Sequence, residues 1–193
     1  MDRVIAVVLA YLIGSIDFGV IVPRALGVDI YKEGSGNPGT SNVFRTMGKR
    51  PAAMVLLGDT VKGVAAVAIA DVWIGGSTAV AAGFFAVAGH VFPAWHRFKG
   101  GKGVATALGA ALWLEPILGG ILSTGWILVV LVTKTASLAS MGAMLLYVPG
   151  FAVAGERDSG LWWAAATAGL VIVRHRANIQ AMISGGERSV KGS

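Results

Sequence analysis

The densest group of residues able to bind a phosphate lies between positions 89 and 106. Lys99-Gly100-Gly101-Lys102-Gly103 forms a glycine-rich basic turn directly before an apolar segment that is predicted to be helical. The N-terminus of a helix offers unpaired N–H groups and the positive end of the helix dipole, which together bind anions. The turn lacks the glycine and Ser/Thr positions of a Walker A loop, so ATP hydrolysis is not supported. The alternative is a basic turn that contacts lipid headgroups.

A second polar segment, residues 34–45, combines three glycines with neutral donors and one arginine. Glycine lets the backbone come close to a ligand, and the planar guanidinium of Arg45 suits bidentate binding of phosphate. We expect this segment to bind substrate through Ser35, Asn37, Ser41, Asn42 and Arg45. The alternative is an ordinary turn between two helices, because Gly, Ser and Asn are common in turns.

A third polar segment lies near the C-terminus, where Arg174-His175 is followed by Asn178 and then by Gly185-Gly186-Glu187. His175 and Asn178 are separated by one helical turn and therefore share a helix face. Taken alone, the segment is also consistent with an ordinary basic flank to the last apolar segment.

These polar segments interrupt a chain that is 55% hydrophobic and 13% charged, whereas a soluble domain carries roughly 25% charged residues. The apolar runs do not alternate with polar residues, which favours helices over a β-barrel. We therefore predict an all-α polytopic membrane protein in which residues 1–193 form one domain. Its seven predicted spans are residues 3–26, 52–73, 77–95, 103–116, 117–133, 136–154 and 160–175.

The fourth and fifth of these segments are short, and only Glu115-Pro116 separates them. A full span needs about 20 residues, so the pair could instead form one re-entrant hairpin. Either arrangement returns the chain to the side from which it started, and the orientation of the later segments is the same in both.

The distribution of positive charge predicts the orientation of the chain. With the N-terminus outside, thirteen of the 16 Lys and Arg residues fall on the inside, counting Lys191 near the C-terminus. Only Arg3 and Arg157 fall outside, and Lys62 lies within a span. Because inside loops of membrane proteins are enriched in Lys and Arg, we predict an external N-terminus and a cytoplasmic C-terminus. All three polar segments then lie on the cytoplasmic side.

Two ionisable residues of the second span, Asp59 and Lys62, are three positions apart and can form an ion pair within one helix. Ionisable residues inside a membrane are candidates for function, although a structural ion pair is the competing interpretation. Asp17 lies within the first span and has no predicted role. The chain contains no cysteine and no cluster of metal-ligand residues, so we expect no metal and no cofactor.

The three polar segments resemble the motifs of the acyl-phosphate:glycerol-3-phosphate acyltransferase (PlsY) family. Residues 34–45 follow its pattern Gly-Ser-Gly-Asn-x-Gly-x-Thr-Asn-x-x-Arg, with Ser41 in place of the threonine, and residues 89–106 follow its second motif throughout. The third motif matches except that Ala181 stands where the family has an arginine. Asp59-x-x-Lys62-Gly63 also resembles the second span of the family, so the resemblance covers nearly the whole chain.

The resemblance implies a bacterial inner-membrane enzyme of phospholipid biosynthesis with seven spans. Such enzymes transfer a fatty acyl group from acyl phosphate to the 1-hydroxyl of glycerol 3-phosphate, giving lysophosphatidic acid and phosphate. Both substrates carry phosphate, one is a lipid and the other is cytosolic, which suits two anion sites at the inner membrane face. We expect membrane lipids as further partners and no nucleic acid.

The predicted site residues follow from this chemistry. Ser35, Arg45, Lys102 and Asn178 are expected to hold phosphates, and the turn 100–103 to supply backbone donors. The full predicted substrate-binding set is Ser35, Asn37, Ser41, Asn42, Arg45, Lys99, Gly100, Gly101, Lys102, Gly103, His175 and Asn178. His90 is the candidate catalytic residue, because histidine is the commonest general base. The competing hypothesis is that a phosphate oxygen of the substrate takes the proton.

Two other functional classes remain open. A transporter of organic phosphates would use similar donors, but transporters usually contain paired repeats with broken helices, and the sequence has no internal repeat. A non-enzymatic protein that binds lipid headgroups would need the basic residues but not the Asn, Ser and Gly pattern.

Overall fold

A computed structural model of the protein describes residues 1–190. Lys191, one of the positive charges predicted to lie on the inside, is outside the described residues. Residues 1–190 are all-helical, with two short 3₁₀ turns at Ile30–Lys32 and Ala94–His96 and no β-strand. The ten α-helices are α1 Asp2–Gly14, α2 Phe18–Ala25, α3 Thr40–Met47, α4 Lys49–Trp73, α5 Ser77–Val91, α6 Val104–Leu114, α7 Pro116–Thr133, α8 Ala136–Ala154, α9 Asp158–Arg174 and α10 Arg176–Ile183.

Five helical segments are long and apolar enough to cross a membrane, so the chain is a multi-pass helical membrane protein. They are Asp2–Ala25, Lys49–Trp73, Ser77–His96, Pro116–Thr133 and Ala136–Ala154. The remaining two predicted spans correspond to the shorter helices α6 and α9. The all-helical fold is thus confirmed, whereas the number of seven spans and the orientation of the termini stay predictions.

The first predicted span, residues 3–26, is not one continuous helix. α1 ends at Gly14 and α2 begins at Phe18, with Asp17 in an extended conformation between them. The break frees the carbonyl of Ile16, which accepts a hydrogen bond of 2.8 Å from Lys62 Nζ in α4. Backbone polar groups inside a membrane must be satisfied within the protein, and here a lysine side chain does so.

Glycines bring α4 and α6 into close contact. A Cβ atom on Gly63 would lie 2.3 Å from the carbonyl oxygen of Thr106, and one on Gly109 would lie 2.1 Å from that of Thr60. Small residues at such positions allow two membrane helices to pack backbone against backbone. This contact places the N-terminus of α6, and the basic turn before it, beside the middle of α4.

α6 has 11 residues and is therefore about 16 Å long, too short to cross a hydrocarbon core of about 30 Å by itself. Its C-terminal end lies level with that of α4, because Trp113 Nε1 donates a hydrogen bond of 3.1 Å to Asp71 Oδ2. The chain then turns at Glu115 directly into α7. Thus α6 starts deep in the helix bundle and ends at the same level as its partner.

The largest buried hydrophobic cluster packs between α6 and the helices α5, α8 and α9. Its members include Val87 and Val91 of α5, Tyr147 and Phe151 of α8, and Val171 of α9. The rings of Tyr147 and Phe151 lie 4.9 Å apart, and the Tyr147 hydroxyl donates to the Ala107 carbonyl oxygen at 3.3 Å. This cluster packs against α6, whose first turn borders the polar site described next.

Candidate active site

A cavity of about 240 Å³ opens between the three polar segments and the helices beneath them. We call it the main cavity. One end is polar and is formed by side chains that include Ser35, Asn37, Arg45, His90, Lys102, His175, Asn178 and Glu187. The other end is mostly apolar and is formed by Leu56, Val104, Leu108, Leu112, Trp126 and Ile127. The lining of the cavity therefore combines cationic and polar side chains with apolar ones.

A second cavity lies against the polar end and shares part of its wall. The shared side chains are Ser35, Asn37, Arg45, Lys102, Asn178, Glu187 and Arg188. Arg174 also lines the second cavity, so four cationic side chains and the single carboxylate of Glu187 surround it. Such an excess of positive charge suits an anion with more than one negative charge.

Most of the predicted site residues converge on the main cavity. Ten line it, namely Ser35, Asn37, Ser41, Asn42, Arg45, His90, Lys102, Gly103, His175 and Asn178. Lys99, Gly100 and Gly101 line neither of the two cavities. Lys99 is exposed, and its carbonyl oxygen accepts a hydrogen bond of 2.6 Å from the Tyr31 hydroxyl.

Asn42 was predicted to bind substrate, but both polar atoms of its side chain are occupied by the first polar segment itself. Its Oδ1 accepts from the Ser35 N–H, and its Nδ2 donates to the Glu33 carbonyl oxygen, each at 2.9 Å. Asn42 is buried, with 1% of its surface exposed. It therefore shapes the loop that presents Ser35 to the cavity.

The turn 100–103 before α6 was predicted to offer its backbone N–H groups to a substrate, but two of these groups are already hydrogen-bonded within the protein. Gly100 N–H donates to the Val91 carbonyl oxygen and Gly101 N–H to the His90 carbonyl oxygen, each at 3.2 Å. These two N–H groups are thus used to fasten the turn to the end of α5. Gly103, at the N-cap of α6 with a φ of +88°, does line the main cavity. The backbone N–H groups that remain available at this helix terminus are therefore those of the first turn of α6.

Lys102 extends from this turn into a polar network with the C-terminal segment. Its Nζ donates to Asn178 Oδ1, and Asn178 Nδ2 donates to Glu187 Oε1 at 2.8 Å. The Ser137 hydroxyl also donates to Glu187 Oε1. Burial lowers the pKa of Lys102 to about 8, with Glu187 acting in the opposite direction and Arg45 and Arg174 adding to the decrease. The network thus connects the basic turn to Asn178 and Glu187 of the third polar segment.

Below the turn, Asp17, Asp59, Lys62 and His90 are buried together. Lys62 Nζ lies 2.7 Å from Asp59 Oδ1, which confirms the predicted ion pair. The same Nζ lies 2.8 Å from His90 Nδ1. Both carboxylate oxygens of Asp17 are buried without a hydrogen-bond partner. Spacing within α4 predicts the ion pair, but it does not predict that His90 of α5 contacts Lys62 or that Asp17 is buried beside them.

This group also brings potential metal ligands together, which the sequence did not predict. One ligand atom from each of Asp17, Asp59 and His90 lies within 4.8 Å of the others. However, the ammonium group of Lys62 already contacts Asp59 and His90. A lysine ammonium therefore contacts two of the three potential ligands, and its positive charge disfavours a metal cation there.

Arg188 was not predicted to be a site residue, although its side chain is one of the cations at the cavities. It lines both cavities, and its charge, after burial, contributes to lowering the pKa of Arg45. Ala181, at the position where the related motif has an arginine, lines the second cavity as well. Only the three-dimensional arrangement shows that Arg188 brings a guanidinium to the cavity that Ala181 cannot supply.

The comparisons with known proteins agree with this geometry. Residues 4–185 match the sequence profile of the family described as glycerol-3-phosphate acyltransferase. A glycerol-3-phosphate acyltransferase of Sinorhizobium medicae (strain WSM419) is 42% identical over 184 residues, which cover 95% of this chain and 90% of the relative. One from Rubrobacter xylanophilus (strain DSM 9941 / JCM 11954 / NBRC 16129 / PRD-1) is 40% identical and covers 100% and 97%.

The fold also matches solved structures. One is the crystal structure of PlsY (YgiH), an integral membrane glycerol 3-phosphate acyltransferase, in its glycerol 3-phosphate form. It superposes on this chain with a TM-score of 0.92 and 36% sequence identity, and the match covers 98% of this chain and 96% of that one. Its lysophosphatidic acid form gives a TM-score of 0.91. On these grounds the chain belongs to the glycerol-3-phosphate acyltransferase family.

Proposed function

We propose that the protein transfers an acyl group from acyl phosphate to the 1-hydroxyl of glycerol 3-phosphate, giving lysophosphatidic acid and inorganic phosphate. The observation that carries this proposal is that one cavity joins a cationic end to an apolar end. The cationic end suits the phosphates of both substrates, and the apolar end suits the acyl chain. Membership of the family supports the acceptor, and the motif resemblance supports acyl phosphate as the donor.

Ser35, Arg45, Lys102 and Asn178 are proposed to hold the two phosphates, since all four line both cavities. Arg45 offers a bidentate fork and Lys102 a point charge. Asn37, Ser41, Gly103 and His175 are proposed to complete the substrate-binding surface of the main cavity. Lys99, Gly100, Gly101 and Asn42 act on the shape of the loops.

In the proposed reaction, the 1-hydroxyl oxygen attacks the acyl carbonyl carbon and forms the ester bond. The bond from this carbon to the bridging phosphate oxygen breaks, and its electron pair leaves with phosphate. The hydroxyl proton passes either to His90 or to a phosphate oxygen of the substrate. An acyl phosphate has a good leaving group, so orientation and electrostatic stabilisation can supply the catalysis without a covalent enzyme intermediate.

The proposed location is the bacterial inner membrane, with the cavity facing the cytoplasm. The support is the concentration of Lys and Arg on the side that carries the three polar segments. Glycerol 3-phosphate would then reach the polar end from the cytosol, and the acyl donor would reach the apolar end from the bilayer.

The direct test is an assay of the purified full-length protein in detergent with acyl phosphate and glycerol 3-phosphate. We expect lysophosphatidic acid and phosphate in equal amounts, and no product when acyl-CoA replaces acyl phosphate. A well-folded protein that forms no product would contradict the enzyme proposal. Uptake of glycerol 3-phosphate into proteoliposomes without product would instead support the transporter alternative.

The lowered pKa of Lys102 predicts an alkaline decrease in activity. The ammonium form, which binds phosphate, dominates below about pH 8 and is lost as the pH rises through that value. We expect kcat/KM to fall above about pH 8, by up to about tenfold per pH unit, because kcat/KM reports ionisation of the free enzyme. The measurement is a pH profile of kcat/KM between pH 6 and 10.

The variant Lys102→Arg is the control for this assignment. An arginine stays charged throughout that range, so the decrease near pH 8 should disappear even if the overall rate is lower. Lys99→Arg, on the exposed side of the same turn, should retain it. An unchanged decrease in Lys102→Arg would show that another group is responsible.

A further inference from the structure

The main cavity contains two buried histidines whose ring nitrogens have different partners. His90 and His175 are 4% and 3% exposed, and both line the cavity. A neutral imidazole has one nitrogen that donates and one that accepts, and the partner of one nitrogen fixes the role of the other. The partners of the two Nδ1 atoms therefore determine what each ring offers to a ligand.

In His90, the partner of Nδ1 is the side chain of Lys62. Lys62 Nζ lies 2.8 Å from Nδ1, 2.7 Å from Asp59 Oδ1 and 2.8 Å from the Ile16 carbonyl oxygen. An ammonium nitrogen has no lone pair and can only donate, so it donates to the Ile16 carbonyl oxygen and to Nδ1, while its contact with Asp59 is an ion pair. Nδ1 of His90 must then carry the lone pair, and Nε2 must carry the proton.

Asp59 competes only weakly for Nδ1 of His90. Its Oδ1 lies 3.5 Å from Nδ1, well beyond the usual N–H···O distance of about 2.9 Å, whereas Lys62 is in hydrogen-bond contact. An imidazolium would place an N–H against the ammonium of Lys62 at 2.8 Å, which is repulsive. The other titratable group facing this site is Asp17, from the junction of α1 and α2.

In His175, the partner of Nδ1 is a backbone carbonyl. Nδ1 lies 2.8 Å from the carbonyl oxygen of Val171, one turn earlier in α9. This oxygen can only accept, so Nδ1 must carry the proton, and Nε2 is left with a lone pair. The charged groups acting on His175 are Lys102, Arg174 and Glu187. With two cations among these three groups, a further positive charge on the ring is disfavoured.

We propose that the cavity holds its two histidines as neutral imidazoles in opposite tautomers, with His90 presenting an Nε2–H donor and His175 an Nε2 acceptor. Lys62 is the positioning residue that imposes the donor form on His90. On this basis His90 donates to an anionic oxygen of the acyl phosphate, and His175 accepts from the glycerol hydroxyl. Of the two proton acceptors named above, the phosphate oxygen of the substrate then takes the hydroxyl proton, because His90 has no free lone pair. The identity of these ligands rests on the proposed function, whereas the tautomers do not.

The first test is ¹⁵N NMR of the wild-type protein, labelled at histidine, in detergent at pH 7. His96, which lines neither cavity, serves as the internal reference, and His90→Gln, His96→Gln and His175→Gln assign the signals. We expect the Nε2–H pattern for His90 and the Nδ1–H pattern for His175. The same tautomer in both rings, or an imidazolium at His90, would overturn the proposal.

The second test removes the positioning residue. In Lys62→Met, we expect His90 to lose the Nε2–H form, since Asp59 is then free to accept from Nδ1, while His175 keeps its pattern. A His90 signal that stays in the Nε2–H form in folded Lys62→Met would show that Lys62 does not impose it. The wild-type spectrum decides the tautomers even when this variant does not fold.

The third test compares side chains that mimic one ring nitrogen. The amide nitrogen of glutamine can donate from about the position of Nε2, whereas alanine cannot. We expect His90→Gln to retain kcat/KM within about tenfold of the wild type and His90→Ala to lose about 10²-fold, as for removal of one donor to a developing charge. Equal losses of kcat/KM in both variants would indicate that His90 acts as a base, and would overturn the donor role. His96→Gln is the control and should have the kcat/KM of the wild type.

These readouts separate the inference from the proposed function. The NMR patterns need no substrate, so a folded protein that forms no lysophosphatidic acid can still show opposite tautomers. Conversely, an active enzyme in which both rings share one tautomer would keep the proposed function and refute the inference.

Discussion

Replacing Lys102 by alanine is expected to lower kcat/KM by about 10²- to 10³-fold, which corresponds to about 3 to 4 kcal/mol of lost stabilisation. The reason is its position: Lys102 lines both cavities and connects the basic turn to Asn178. Its removal takes a charge from the phosphate site and leaves Asn178 Oδ1 without this donor. The measurement is initial-rate kinetics with acyl phosphate and glycerol 3-phosphate.

Lys99→Ala is the matched control for this prediction. Lys99 belongs to the same turn and carries the same charge, but its side chain is exposed and lines neither cavity. We expect kcat/KM within about twofold of the wild type, because an exposed charge contributes little. Similar losses in the two variants would mean that the general positive charge of the turn matters, and that the position of Lys102 does not.

Gly100→Ala is expected to inactivate the protein to a comparable degree, although Gly100 lines neither cavity. A Cβ atom at this position would lie 2.0 Å from the carbonyl oxygen of His90 and 2.9 Å from that of Val91. The turn would have to move away from α5 and break the two backbone hydrogen bonds that fasten it. Since misplacement of a catalytic group by about 1 Å can cost about 10²-fold in rate, we expect a loss of at least that size.

The control for this prediction is Gly120→Ala in α7, where a Cβ atom would meet nothing within 4 Å. Alanine is the better helix former by about 1 kcal/mol, so this variant should be active and at least as stable. Thermal unfolding of both variants, measured with activity, separates displacement of the turn from global unfolding. Full activity in Gly100→Ala would show that the turn need not remain fastened to α5.

The sequence predicted the helices and the convergence of the polar segments, because both depend on local patterns. Long apolar runs predict helices, and the placement of Lys and Arg assigns the three polar segments to one side. The ion pair of Asp59 and Lys62 also follows from spacing within one helix. These features require no knowledge of which helix packs against which.

The sequence could not predict features that depend on contacts between segments. The turn 100–103 has the composition of an anion site, yet the N–H groups of Gly100 and Gly101 bond to the end of α5. Likewise, Asn42 has the composition of a ligand-binding residue but holds its own loop. Residue type gives the donors and acceptors, and only packing decides which of them remain available to a substrate.

The break at residues 15–17 illustrates the same limit. The apolar run 3–26 predicts one helix, although Gly14, Ser15, Asp17 and Gly19 lie at the break. The break is compensated from α4, where Lys62 bonds to the freed Ile16 carbonyl oxygen. Its compensation comes from a residue 46 positions away, so no local pattern can reveal it.

The shortness of α6 has a consequence for how far the chemistry lies from the membrane surface. α4 has 25 residues and is about 38 Å long, whereas the basic turn lies only the length of α6, about 16 Å, from the level where both helices end. The turn therefore sits near the midpoint of α4, and the polar part of the main cavity reaches that level. Under the proposed function, the water-soluble acceptor would have to enter the protein to about half the length of α4, and the proposed lipid donor could react without leaving the bilayer.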